Sequence, residues 1–299
     1  MFDLRHHVAS LAAVFVALTV GIVLGVGISD RGLLRKGERS ILERRISDLE
    51  NEVAAATSRE ALLTDQDRAA DALMQEAYPG LVADRLRGDR VAIVFVGPVD
   101  PRIETSVGRA LADAGAPQPL RVRALRLPLD VRTVNRALAK QRQLASYAGR
   151  DQLEDLGRAL GAEVVTGGQT PLWNALSGTL VEERSGNDDR PAGGVVVART
   201  TQPQRGATAR FLHGLYAGLA GEGAPAVGVE PLDASISAVK AFTRGGLSSV
   251  DWVDSQYGRL ALVWLLAGGT PGAYGVKATA KDGVLPPAGS VPEPAAARG

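Results

Sequence analysis

VAIVFVG, Val91 to Gly97, is the stretch on which the fold turns. It is a continuous apolar run closed by a glycine. A run of that kind reads as a strand buried on both faces, as in a parallel sheet; a half-exposed strand would alternate. The periodicity then switches repeatedly along the chain. Ile103 to Ala114 has helical spacing, and LRVRALRLP around Val122 to Leu127 alternates like a strand. Val131 to Tyr147 and Asp151 to Leu160 return to helix. GGVVVAR, Gly193 to Arg199, is a second buried strand, followed by a helix over Ala207 to Ala220. PAVGVE, Pro225 to Glu230, is a short third apolar strand, and Tyr257 to Ala267 is the last strong helix. This alternation predicts an α/β domain over residues 89–270 with a mostly parallel, doubly wound sheet. The apolar core of the last helix is ~12 residues, too short to cross a bilayer.

Upstream the character changes. VASLAAVFVALTVGIVLGVGI, Val8 to Ile28, is 21 residues without a charge. As a helix it would rise roughly 30 Å, the thickness of a bilayer's hydrocarbon core. A signal peptide would carry a shorter apolar core and a small-residue cleavage site, whereas Ser29-Asp30-Arg31-Gly32 follows here. The reading is an uncleaved single transmembrane helix within residues 1–29. Gly21-x-x-x-Gly25 would let two such helices approach closely. The basic residues near the run are Arg5 before it and Arg31, Arg35, Lys36 and Arg39 after it, the latter partly offset by Asp30 and Glu38, and counted alone they favour a cytoplasmic remainder.

Residues 30–80 read as a coiled-coil stalk. Leu42, Ile46, Leu49, Val53, Ala56 and Leu63 follow a heptad rhythm, with Ile46 and Val53 at a and the others at d. β-branched residues at a with Leu at d favour two parallel helices, and Arg45 at g can reach Glu50 at e of a partner. Glu60 and Asp67 fall at a and weaken the seam further on, and Pro79-Gly80 is expected to break the helix. The chain is thus expected to form a homodimer or higher homo-oligomer through Gly21, Gly25, Leu42, Ile46, Leu49 and Val53. Residues 271–299, rich in Pro, Ala and Gly, read as a partly disordered tail.

Composition narrows the chemistry. Thirty-four basic and 33 acidic residues leave a net charge of +1, with no clustered basic face for nucleic acid. There is no cysteine, so disulfides and thiolate metal sites are excluded. Five Phe, three Trp and five Tyr do not supply the two aromatic girdles of a membrane barrel. The loop Gly97-Pro98-Val99-Asp100-Pro101 follows the first strand, where open α/β sheets bind ligands. It is not a phosphate loop, and its prolines remove backbone donors that a phosphate would need. No G-x-S-x-G elbow is present, and His213 stands alone in the α/β region, so no catalytic residue is expected and the chain reads as a non-enzyme. SSVDWVDS places Asp251 and Asp254 just ahead of the last helix with Arg259 close by, a possible ligand loop. For those carboxylates, capping and dipole complementation compete with ligand binding, with Ser248, Ser249 or Ser255 as the cap.

Taken in order, DLRHHVASLAAVFVALTVGIVLGVG (Asp3 to Gly27), the heptad stretch, VAIVFVG, and SSVDWVDSQYGRLALVWLLAGGTPGAYGVKATAKDGVLP (Ser248 to Pro286) resemble the MctB family. The resemblance covers nearly the whole chain. It implies an envelope location, with the domain on the extracytoplasmic side, and a role in copper transport that limits intracellular copper. Copper would be the transported ion, and no resident cofactor is expected. Soft ligands for Cu(I) are limited to Met1 and Met74. The adjacent imidazoles of His6 and His7, with Asp3, are the one candidate for Cu(II). The alternative is a membrane-anchored scaffold whose α/β domain binds a protein partner without touching copper.

Overall fold

The computed structural model describes residues 4–26, 35–116 and 118–293, with side chains from residue 11 to 22 and from residue 44 onward within those ranges. The chain divides into two units, Met1–Ala69 and Ala70–Gly299.

The first unit holds helix α1, Leu4–Val26, and most of helix α2, Arg35–Val82. The expected transmembrane helix is overturned: among the described residues no helix is long and apolar enough to cross a membrane. The large apolar side chains of α1 from Leu11 to Ile22 are exposed. On α2, Ile46 is 40%, Leu49 58% and Val53 64% exposed, so the heptad stripe is left open among the described residues. Gly21 has open space around it, whereas the side chains of His6, His7 and Leu42 and the surroundings of Gly25 lie outside what is described.

Helix α2 does not break at Pro79-Gly80 but continues to Val82. A proline inside a helix forfeits one hydrogen bond and costs about 3 kcal/mol. Burial outweighs that cost here. Tyr78, Val82 and Leu86 lie in the core, and the Pro79 carbonyl still accepts from the Ala83 N–H at 3.0 Å.

The second unit is built on a seven-stranded sheet. Its strands are β1 (Val91–Val96), β2 (Arg121–Leu125), β3 (Val181–Gly186), β4 (Gly194–Arg199), β5 (Ala226–Val229), β6 (Ser248–Val250) and β7 (Ala273–Tyr274). Their order is β3-β2-β1-β4-β5-β6-β7. Every pairing is parallel except that of β2 with β3. The sheet is therefore mixed, and the expectation of a mostly parallel sheet missed its antiparallel edge strand. β3 escapes a pattern search because VEERSG is an exposed polar edge, and β6 and β7 because they are only three and two residues long. VAIVFV is buried at every position, as a central strand flanked on both sides must be.

Helices cover both faces. On one lie α4 (Val131–Ala139), α5 (Leu153–Thr166), α6 (Pro171–Leu176), α7 (Gly206–Gly221) and α8 (Val239–Arg244). On the other lie the end of α2, α3 (Pro101–Asp113) and α9 (Gln256–Leu266). The helix expected over Val131 to Tyr147 is two pieces, α4 and a 3-10 turn at Arg142–Tyr147. Helices α5 and α7 touch backbone to backbone. A methyl group on Gly157 or Gly161 would drive into the α7 backbone, and one on Gly214 or Gly218 into the carbonyls of Glu154 and Arg158. The Pro-rich stretch after β7 packs back as well: Leu285 and Val291 lie against the core, and Arg85 Nη1 donates to the Pro292 carbonyl at 2.5 Å.

Candidate functional site

Strand order reverses between β1 and β4: from β1 the chain steps outward to β2, and from β4 to β5, β6 and β7 in the opposite direction. At such a switch point the loops leaving the two strands part, and a crevice opens beyond their carboxyl ends. Here it holds about 250 Å³ and is lined by Asp100, Arg102, Arg199, Thr200, Thr201, Gln202 and the segment Pro231–Ile236. A larger hollow of about 930 Å³ lies along α5 beside Gln152 and Glu222, but it is a broad open trough without the convergent strand ends.

Gly97 packs against two residues of the crevice lining, Thr200 and Thr201. Its φ of +123° suits glycine, and a β-carbon there would collide with the Thr200 and Thr201 side chains. The two hydroxyls knit the loops together: Thr200 Oγ1 donates to the Pro98 carbonyl at 2.7 Å, and Thr201 Oγ1 to Val96 at 3.1 Å. Asp100 caps α3, accepting from the N–H groups of Arg102 (2.8 Å) and Ile103 (3.4 Å). That carboxylate occupies the donors a phosphate would use, in keeping with the proline-interrupted loop. Arg102 Nη1 spans the mouth to Asp233 at 3.1 Å, and Arg199 Nη2 donates to the Ile236 carbonyl at 2.8 Å. The lining is polar and of both signs, suited to a small polar or zwitterionic ligand more than to an apolar one.

The outer wall, Pro231–Ile236, is braced from beneath by the segment around β6 and β7. Asp251 is fully buried, and its carboxylate accepts the N–H groups of Val276 at 2.9 Å and Lys277 at 3.1 Å. The approach is so close that Gly275 has no room for a β-carbon. Lys277 Nζ then reaches Glu230 Oε1 and the Pro231 carbonyl, both at 2.8 Å. The other Glu230 oxygen accepts from the Ala238 N–H. Asp254 Oδ1 accepts from the Leu232 N–H at 3.0 Å. Asp251 and Asp254 thus both brace the crevice wall. Arg259 is not paired with either carboxylate: its Nη1 donates to the Asp254 backbone carbonyl at 3.3 Å, and its guanidinium lies over the Tyr78 ring. Burial pushes the Tyr78 hydroxyl up to about 12. Ser255 caps α9, its Oγ accepting from the Gly258 N–H at 2.9 Å.

Glu230 and Lys277 were missed by sequence reasoning. A lone Glu ending a short apolar strand, and a Lys 47 positions later, carry no joint signal in one sequence. His213 sits on α7 with half its side chain exposed, 3.9 Å from Glu154. Among the described residues no three His, Cys, Asp or Glu side chains gather to hold a metal ion.

The fold and the crevice define a class: an α/β domain that offers a polar cleft at its switch point. Within that class, the family model described as "Copper transport outer membrane protein, MctB" matches residues 1–285, and the chain belongs to that family. It is similar to proteins named copper transporter MctB in Mycobacterium bovis and Mycobacterium tuberculosis, at 32% identity over 115 residues in each. The matched stretch is 38% of this chain and spans only 35% of the length of those relatives.

Proposed function

We propose that this protein acts in copper homeostasis at the cell envelope, lowering intracellular copper. The observation that carries the reading is membership of the MctB family over residues 1–285. In this reading the α/β domain meets a small ligand or a partner in the crevice at the ends of β1, β4 and β5. A strain lacking the gene is expected to hold more copper than its parent when grown in added copper; equal copper content would count against the role.

A second reading, an indirect role without copper contact, is favoured by the donor set. The chain has no cysteine and two methionines, Met1 and Met74, which is a poor set for Cu(I). His6 and His7 stay as the candidate pair for Cu(II). Calorimetric titration of the His6→Ala/His7→Ala variant beside the parent separates the readings. Loss of a micromolar site marks direct contact, and absence of binding in both proteins marks the indirect role. The exposed stripe Ile46, Leu49 and Val53 is proposed as a seam for a second copy of α2, in a homodimer with parallel helices.

A further inference from the structure

The crevice at the switch point contains a guanidinium with an open edge. Arg199 is the last residue of β4, level with Val96 at the end of β1, and its side chain is half-buried in the lining. A guanidinium carries five N–H donors in a planar fork. Nη2 of Arg199 donates to the Ile236 carbonyl at 2.8 Å. Nη2 belongs to both paired-donor edges of the fork, one shared with Nε and one with Nη1, and has a hydrogen for each. Whichever hydrogen the carbonyl takes, the other edge keeps both of its donors. Among the described residues no carboxylate forms an ion pair with Arg199. Arg102, in the same lining, differs: its Nη1 meets Asp233 at 3.1 Å and its Nη2 stands 3.8 Å from Asp100.

The rest of the lining sets the chemistry of what can enter. A paired N–H edge is complementary to a carboxylate or a phosphate. Asp100 and Asp233 line the same cavity of about 250 Å³, and Asp100 already takes the N–H groups at the start of α3. A dianionic phosphate would meet two like charges there and no free helix terminus, and at such separations the repulsion is substantial. The single charge of a carboxylate is answered by Arg199. Thr200 and Thr201 spend their hydroxyl hydrogens on the Pro98 and Val96 carbonyls, so their oxygens are left as acceptors. Ser235 adds an exposed hydroxyl to the lining. Those groups suit an amino or hydroxyl group carried beside the carboxylate. The cavity lies below the roughly 300–1,000 Å³ of pockets for drug-sized ligands, which restricts the ligand to a small one.

We propose that the crevice binds a small monocarboxylate with an adjacent amino or hydroxyl group, its carboxylate paired to the open edge of Arg199. This rests on the reading above that the α/β domain works through its crevice, and it names the class of molecule that enters.

The test titrates the full chain with glycine, with L-lactate and with inorganic phosphate by calorimetry at constant ionic strength. Glycine or L-lactate is expected to bind saturably, and phosphate more weakly; the two acids distinguish an amino from a hydroxy acid. Arg199→Gln removes the charged hydrogen bonds and is expected to weaken binding of the acid by about tenfold or more. Ser235→Trp fills the cavity from an exposed position and is expected to abolish binding, which keeps the test decisive should Arg199→Gln not fold. A parent that binds neither acid, an affinity unchanged in either variant, or phosphate binding more tightly than both acids overturns the inference. Those results leave the copper reading standing, because the copper content of the deletion strain decides it separately.

Discussion

At the scale of single residues, Asp251 is the carboxylate on which the crevice wall leans. It is wholly buried and holds two consecutive N–H groups, so it carries Lys277 to Glu230 and hence shapes the crevice wall. Asp251→Ala would leave those two donors unsatisfied at about 1–3 kcal/mol each. The variant is expected to unfold at markedly lower urea than the parent, by roughly 3 kcal/mol, measured by equilibrium denaturation. Asp188 provides the pH counterpart. Burial pushes its carboxyl upward, but the Arg184 hydrogen bond and the charges of Arg123, Arg184 and Arg121 prevail and hold it below the ordinary range. A depressed folded pKa contributes stability above the unfolded value, ~3.9, which is lost as pH falls through the folded value. Asp188→Asn is therefore expected to be less stable than the parent at pH 7, by about 3 kcal/mol. The gap should narrow in denaturation curves taken below about pH 4.

At the scale of elements, legibility followed burial. Strands β1, β4 and β5 stand out in the sequence because central parallel strands are apolar throughout. β3, β6 and β7 do not, because an exposed edge and two- or three-residue strands carry no period to detect. Pro79 misled because local propensity was overruled by the burial of Tyr78 and Val82. Glycine spacing was noticed at Gly21 and Gly25, yet in the second unit the close helix contact it serves is between α5 and α7, at Gly157, Gly161, Gly214 and Gly218. Within the crevice, Gly97 to Asp100 and the Asp251–Asp254 segment were visible, whereas the Glu230–Lys277 bridge depends on a fold-made contact. The α2 stripe makes its own prediction. Leu49→Asp with Val53→Asp puts charge into the proposed seam and is expected to shift the sedimentation of the full chain from dimer to monomer. An unchanged dimer would remove α2 as the interface.

At the scale of the whole molecule, two lines converge on the cleft. The topology opens a cleft where β1 and β4 diverge, and the distal segment that carries much of the family likeness supports that cleft's outer wall. The proposed working surface of this MctB-family protein lies there. Ser235 lines the crevice from an exposed position, so Ser235→Trp fills it without disturbing the core. The most direct measurement is cell-associated copper in a deletion strain that carries either the parent gene or the Ser235→Trp gene, expressed equally, with the variant's Tm matching the parent's. The account predicts that the parent returns copper to the undeleted level and the variant leaves it high. Full restoration by the variant would contradict the crevice as the site of function.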